Sequence, residues 1–220
     1  MKLTTHILAL AIFLISLGSQ ATAKDLTPIA VADKLQQTYK QTTTFTADFR
    51  QISSMRMHRR QRKGSGTLVI SKPGRIRWNY QQPDRQVLIS NGDTVSMYFE
   101  KNQQMMVMPS DRYLTSDVTY AFFVGNGDIQ RDFTIQDPDA APFLANGQYC
   151  IKLIPKETHP QLNYLHLWIN SSTWSVQRIQ LVDQLDSITD LFFSNIITNQ
   201  PVADNIFLFT PPPDTEIIEQ

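Results

Sequence analysis

From Phe45 onward the chain abandons helical spacing, and apolar residues recur at every second position through one short segment after another. "FTADFRQI", "GSGTLVISK", "GRIRWNY", "RQVLIS", "DTVSMYF" and "QQMMVMP" form a first run, and a period of two is the signature of a pleated strand. The links between them are too short for a crossover helix, so neighbouring strands are expected to be antiparallel. Asn91-Gly92 marks a hairpin because both residues accept positive φ. A second run follows in "DFTIQ", "GQYCIKLIP", "NYLHLWIN", "WSVQRIQLVD" and "ITDLFFSNI", and "IFLFTPPP" closes the domain. About ten or eleven antiparallel strands in one domain must curl. The expected fold is α+β, with a curved antiparallel sheet forming a closed or incompletely closed barrel. Whether the tail "DTEIIEQ" adds a further strand is left open.

Two segments break the alternation. Thr27 to Thr42 reads as a helix, with Thr27 as N-cap and Pro28 at the first helical position, where its missing N–H is harmless. Ile29, Ala32, Leu35 and Tyr39 fall near one face of it. "SDRYLTSDVTYAFFVG" reads as a second helical segment, capped by Ser110 or Asp111, with Leu114, Val118, Ala121 and Phe122 at helical intervals.

The stretch "WNYQQPDRQVLISNGDTVSMYF" is apolar on both faces, where a sheet with one dry and one wet face alternates cleanly. Trp78, Tyr80, Val87, Ile89, Val95, Met97 and Phe99 are assigned to one side, and Leu88 and Tyr98 to the other. Two explanations fit. One face packs on a helix while the other completes an ordinary core, or the inner side encloses a cavity for an apolar ligand. Met105, Met106 and Met108 suit a deformable wall, because unbranched thioethers adapt to irregular shapes. Periodicity alone does not separate these two.

Signatures of catalysis are missing from the sequence. It holds no Gly-rich phosphate loop, no HExxH, no GxSxG and no paired-cysteine metal site, so neither an enzyme, a cofactor nor a metal is expected. His166 in "YLHLWI" alternates with apolar neighbours and reads as a sheet side chain. Twenty basic residues balance twenty acidic ones, which gives no footprint for nucleic acid. The one charge run is "MRMHRRQRK", carrying Arg56, Arg59, Arg60, Arg62 and Lys63. It is either a solvated hairpin loop or a dock for an acidic partner surface or lipid headgroups.

The first residues carry a targeting pattern. Lys2, the apolar run "ILALAIFLISL" and the small residues "ATA" form a signal peptide over residues 1–23, leaving a single domain over 24–220. The apolar run is too short to span a bilayer, so export is the reading rather than a retained anchor. Cys150 is the only cysteine and cannot form an intramolecular disulfide. An exported domain without disulfides points to a bacterial periplasm.

Several of these segments, in order and spacing, resemble the LolA family of periplasmic outer-membrane lipoprotein carriers. "FTADFRQ", "GSGTLVISKPGRIRWNY", the "QQP" and "SNGDTV" that follow, Gln104, "LIPKETHPQLNYLHLWIN", "LVD" and "FLFTPPP" carry the resemblance across nearly the whole exported chain. The resemblance implies a half-open antiparallel barrel covered by lid helices. It implies a chaperone function, with acylated lipoproteins as cargo. The implied partners are an inner-membrane lipoprotein-releasing ABC transporter and an outer-membrane lipoprotein receptor, and a monomer is expected. Ile76, Trp78, Tyr80, Val87, Ile89 and Met97 would line the acyl-chain cavity; Leu35 and Tyr39 would belong to the first lid element and Phe122 to the second. Lys72 stands where the family carries a basic residue before proline, often Arg, and would make a polar contact at the mouth. Lysine lacks the planar fork that holds two carbonyls at once. The alternative is a lipid-sensing regulatory domain of the same fold that acts through protein association.

Overall fold

The computed structural model describes residues 26–55, 61–111, 113, 127–140, 144–145 and 147–220. Helix α1 spans Pro28–Gln41, and Thr27 caps it as the sequence predicts, its Oγ1 accepting from the Ala30 N–H at 3.3 Å. The buried side of α1 is Val31, Ala32, Leu35 and Tyr39, whereas Ile29 is exposed, one turn position away from the expected stripe. A one-turn helix that the sequence did not announce, α2, spans Ile129–Asp132. It is closed by reciprocal capping: the Arg131 N–H donates to Asp128 Oδ1 and the Asp128 N–H to Asp132 Oδ2, both at 2.9 Å. Gln36 ties α2 to α1, accepting from the Ile129 N–H at 2.9 Å.

The described strands are β1 (Thr44–Ser54), β2 (Gln61–Ser71), β3 (Arg75–Gln82), β4 (Gln86–Asn91), β5 (Thr94–Phe99), β6 (Gln104–Pro109), β7 (Phe133–Gln136), β8 (Gln148–Pro155), β9 (Tyr164–Asn170), β10 (Val176–Val182), β11 (Ile188–Thr198) and β12 (Glu216–Glu219). They form one sheet in the order β12-β6-β5-β4-β3-β2-β1-β11-β10-β9-β8-β7. The two end strands, β12 and β7, do not pair with each other, so the barrel is unclosed. All ladders among the described residues are antiparallel except β12 on β6, which is parallel. The tail left open by the sequence therefore does form a strand.

The closing segment "IFLFTPPP" forms no strand: Asp204–Phe207 is a 3₁₀ turn and the chain then runs irregularly to β12. Arg62 and Lys63, expected in a loop, are exposed residues at the start of β2, paired with Ser53 and Ile52. The hairpin at Asn91-Gly92 forms as expected, with Gly92 at φ 110° and Asn91 Oδ1 accepting from the Asp93 and Thr94 N–H groups at 2.9 and 3.0 Å.

The face of the sheet covered by α1 is the inner one. Leu35 and Val31 pack with Ile151, Leu153, Leu167 and Ile169 from β8 and β9, and this cluster continues through Phe193, Phe49 and Ala47 to Leu68, Ile70 and Ile76. His166 lies in β9 as a sheet side chain, between the rings of Tyr164 and Trp168, with Nδ1 3.3 Å from Gln180 Oε1.

Candidate functional site

Register decides which apolar residues share a face. Directly opposed residues in antiparallel strands project to the same side. Leu68 pairs with Trp78, Trp78 with Leu88, Leu88 with Met97 and Met97 with Met106, so these five form one row across β2 to β6. The row belongs to the inner face, since Leu68, Trp78 and Leu88 join the cluster that α1 covers. Trp78, Leu88, Met97 and Met106 are half-buried.

The opposite face of the same strands is covered. Val87 pairs with Tyr98 and Tyr98 with Met105, and together with Ile89 they form a second buried cluster under Val107 and Phe209. Val87 and Ile89 therefore do not stand on the side of Trp78 and Tyr80, and Leu88 does. The expected lining is wrong by one residue in β4. The turn from β3 to β4 fixes register, and a one-residue offset exchanges the two faces of a strand. The C-terminal segment closes this outer cluster. Arg77 Nη1 donates to the carbonyls of Ile206 at 2.8 Å and Leu208 at 3.3 Å. Arg75 pairs with Asp204 and lies 5.0 Å from the centre of the buried Phe207 ring. The double greasiness of this stretch thus has two causes: an outer face sealed by the chain's own C-terminal strap, and an inner face left half open.

The inner wall is built around three rings. Phe49 from β1 meets Trp78 edge-on at 5.4 Å and Tyr80 at 4.8 Å, and the last two are stacked at 6.3 Å. Gly66 makes this approach feasible, because a Cβ there would stand 1.8 Å from the Asn79 carbonyl oxygen and 3.1 Å from Phe49. Tyr80 donates to Gln51 Oε1 at 2.6 Å, and burial, with Tyr113 nearby, pushes its phenol up to about 12. The indole N–H of Trp78 is buried and has no acceptor among the described residues. A donor without a partner inside an apolar wall is costly unless something brings an acceptor to it.

At the end of α1 the chain makes a polar contact. Lys72 Nζ donates to the Tyr39 carbonyl, one of the last in the helix, and lies 5.6 Å from the Tyr39 ring centre. A cation here faces the negative end of the helix dipole. Partial burial lowers the Lys72 ammonium below the usual lysine range, and burial raises the Tyr39 phenol. Leu35 is fully buried and Tyr39 nearly so, both on the inner face. Ile76, Trp78, Tyr80 and Met97 share that face, as expected. Phe122, Arg56, Arg59 and Arg60 lie outside the described residues. Arg62 and Lys63 stand at the opposite end of the sheet from Lys72, where β1 and β2 approach their connection. Leu88, Phe49 and Gln51 were not expected in this wall; the parity rule across the β3–β4 connection is the signal that finds Leu88.

The family model described as "Outer membrane lipoprotein carrier protein LolA" matches residues 40–210. An outer-membrane lipoprotein carrier protein from Nitrosomonas europaea is 31% identical over 80% of this chain and 82% of its own length. One from Coxiella burnetii is 26% identical over 96% of this chain and 95% of its own. Among solved structures, an uncharacterized conserved protein from Thermus thermophilus superposes with a TM-score of 0.53 at 10% identity, covering 86% of this chain and 99% of that one. That likeness concerns the fold alone. The match over residues 40–210 takes in the Trp78 wall, Lys72 and most of the C-terminal strap, and with it the chain belongs to the LolA family of outer membrane lipoprotein carrier proteins.

Proposed function

We propose that this protein is a periplasmic chaperone that encloses the acyl chains of lipoproteins released from the inner membrane and hands them to an outer-membrane receptor. The observation that carries this reading is the half-open apolar row Trp78–Leu88–Met97–Met106 in a chain of the carrier family. Each buried acyl CH₂ contributes roughly 0.8 kcal/mol, so one 16-carbon chain disfavours water by on the order of 10 kcal/mol. A carrier that crosses an aqueous compartment must therefore offer an apolar wall, and here Ile76, Trp78, Tyr80, Leu88 and Met97 supply it. Trp78 Nε1 offers a donor to an ester oxygen at the head of a chain. Loading and release are binding steps with no covalent chemistry.

Lys72 acts as the latch. Its bond to the Tyr39 carbonyl holds the end of α1 against the rim of the sheet, and opening exchanges that polar contact for acyl burial. The donors and receivers of the cargo are an inner-membrane releasing transporter and an outer-membrane receptor, and the chain works as a monomer. Residues 1–23 serve as the export signal, and the cations at 56–63 form a dock that weakens with salt.

The test is release of lipoproteins from inner-membrane vesicles by the purified protein, followed by extraction of bound lipoprotein into organic solvent. Trp78→Glu is expected to abolish release while the far-UV spectrum and unfolding midpoint stay close to those of the parent. Collapse of the fold in that variant would return Trp78 to an ordinary core role.

A further inference from the structure

The sheet splits near one end, between β10 and β11. Their pairing stops at Arg178↔Phe192, yet β11 continues beside β1 as far as Thr198. From Ser194 to Thr198, β11 is an edge strand inside the sheet, beside β1 alone among the described residues. Two bulges widen the gap: one in the β1–β11 ladder between Thr46 and Asp48, with Asn195 at φ 51°, and one in the β9–β10 ladder between Val176 and Arg178. Asn195 Nδ2 donates to Asp48 Oδ2 at 2.6 Å and fixes the first of these.

Among the described residues, no hydrogen bond occupies the side of Thr198 that faces away from β1. The Asn199 N–H donates to the Thr44 carbonyl at 3.0 Å, which makes Thr44 and Asn199 a hydrogen-bonded pair. The next pair, Phe45↔Thr198, is therefore non-hydrogen-bonded, and the N–H and C=O of Thr198 turn away from β1 toward the split. Beside this edge lies a pocket of about 300 Å³, walled by Tyr39, Thr42, Phe45, Trp174, Phe193 and Thr198. No charged side chain among the described residues lines it. Its far wall is preformed: Asn170 Oδ1 accepts from the Ser172 and Thr173 N–H groups at 2.9 Å, and Trp174, at φ 54°, is stacked on Tyr149 at 5.5 Å. Phe45 and Phe193 also belong to the inner cluster, so the pocket abuts the interior.

An unpaired strand edge beside a preformed pocket fits one kind of occupant, an extended polypeptide that adds as a strand and seats one side chain. The uncharged lining selects a neutral polar segment. We propose that the β10–β11 split binds the uncharged peptide segment next to the acylated end of a lipoprotein, pairing its backbone with β11 at Thr198 and placing a side chain against Trp174. This rests on the carrier reading, since the acyl group delivers the segment to the rim.

The probes are tripalmitoylated cysteine alone and the same group followed by a six-residue Ser/Asn/Gly tail. Hydrogen exchange is followed over residues 194–198, and affinity is measured for the parent and for Thr198→Pro, which removes the outward donor while leaving the pairing with β1. The tailed probe is expected to slow exchange at 194–198 while the tailless one does not, and the proline variant to weaken binding of the tailed probe alone by about three- to tenfold, the worth of one hydrogen bond. Equal affinity for both probes, with no tail-dependent protection, overturns the peptide site and leaves the carrier reading standing. Failure of both probes to bind overturns the carrier reading itself. Should Thr198→Pro fail to fold, Trp174→Ala replaces it, with the same selective loss expected.

Discussion

Ile89 and Met97 look alike in the sequence, both apolar residues in neighbouring strands, and they end on opposite faces. Ile89 is 5% exposed under the C-terminal strap, and Met97 is half-buried in the inner row. Ile89→Ala is expected to cost about 2–5 kcal/mol of stability, the range for emptying a filled core site, with lipopeptide affinity unchanged. Met97→Ala should do the reverse, and chemical denaturation alongside a lipopeptide binding assay separates them. Tyr80 carries a pH dependence. Its folded pKa, about 12, lies above the ordinary tyrosine value of 10.0. The folded state thus holds a proton that the unfolded state gives up between those values. Stability linked to Tyr80 is complete below pH 10 and is lost as pH rises toward 12, by at most about 1.4 kcal/mol per unit. Urea midpoints taken from pH 9 to 12 are expected to fall less steeply in Tyr80→Phe than in the parent.

At the scale of elements, most of the fold was legible in the sequence. Period-two segments located nearly every strand from β1 to β11, and Thr27-Pro28 located the start of α1 to the residue. What escaped was whatever depends on long-range partners. A four-residue strand such as β12 has almost no pattern of its own, and it exists because β6 offers an edge at Gln104 to Val107. The strap before it is apolar at nearly every position in "IFLF", so alternation does not show its faces: Phe209 packs on the outer cluster, Phe207 is buried beside Arg75, and Leu208 is exposed. Two of the six strand residues expected in the wall, Val87 and Ile89, were likewise misplaced in β4, because hydropathy reports apolarity and only the turn reports parity. Deleting residues 203–220 is expected to expose Val87, Ile89, Tyr98 and Met105 and to lower stability by about 3 kcal/mol or more. Binding of an apolar fluorescent dye and the thermal midpoint measure this. Removing only residues 214–220 should cost about 1 kcal/mol, as it ends a single short ladder.

At the scale of the whole molecule, the described residues divide the labour among a twelve-stranded sheet, the covering helix α1 and a terminal strap. The strap covers the outer cluster, which leaves the half-buried inner row as the apolar surface that the proposed function assigns to cargo. Native mass spectrometry of protein recovered from the periplasm is expected to find a monomer beginning at Lys24. A species retaining residues 1–23 would remove the export reading. Because β12 and β7 never meet, no ring of hydrogen bonds fixes the girth of this barrel. A closed barrel has its circumference set by strand number and stagger, in whole steps. On the proposed function this one is expected to widen or narrow by degrees, as a cuff does, and so to admit fatty tails of differing length and number.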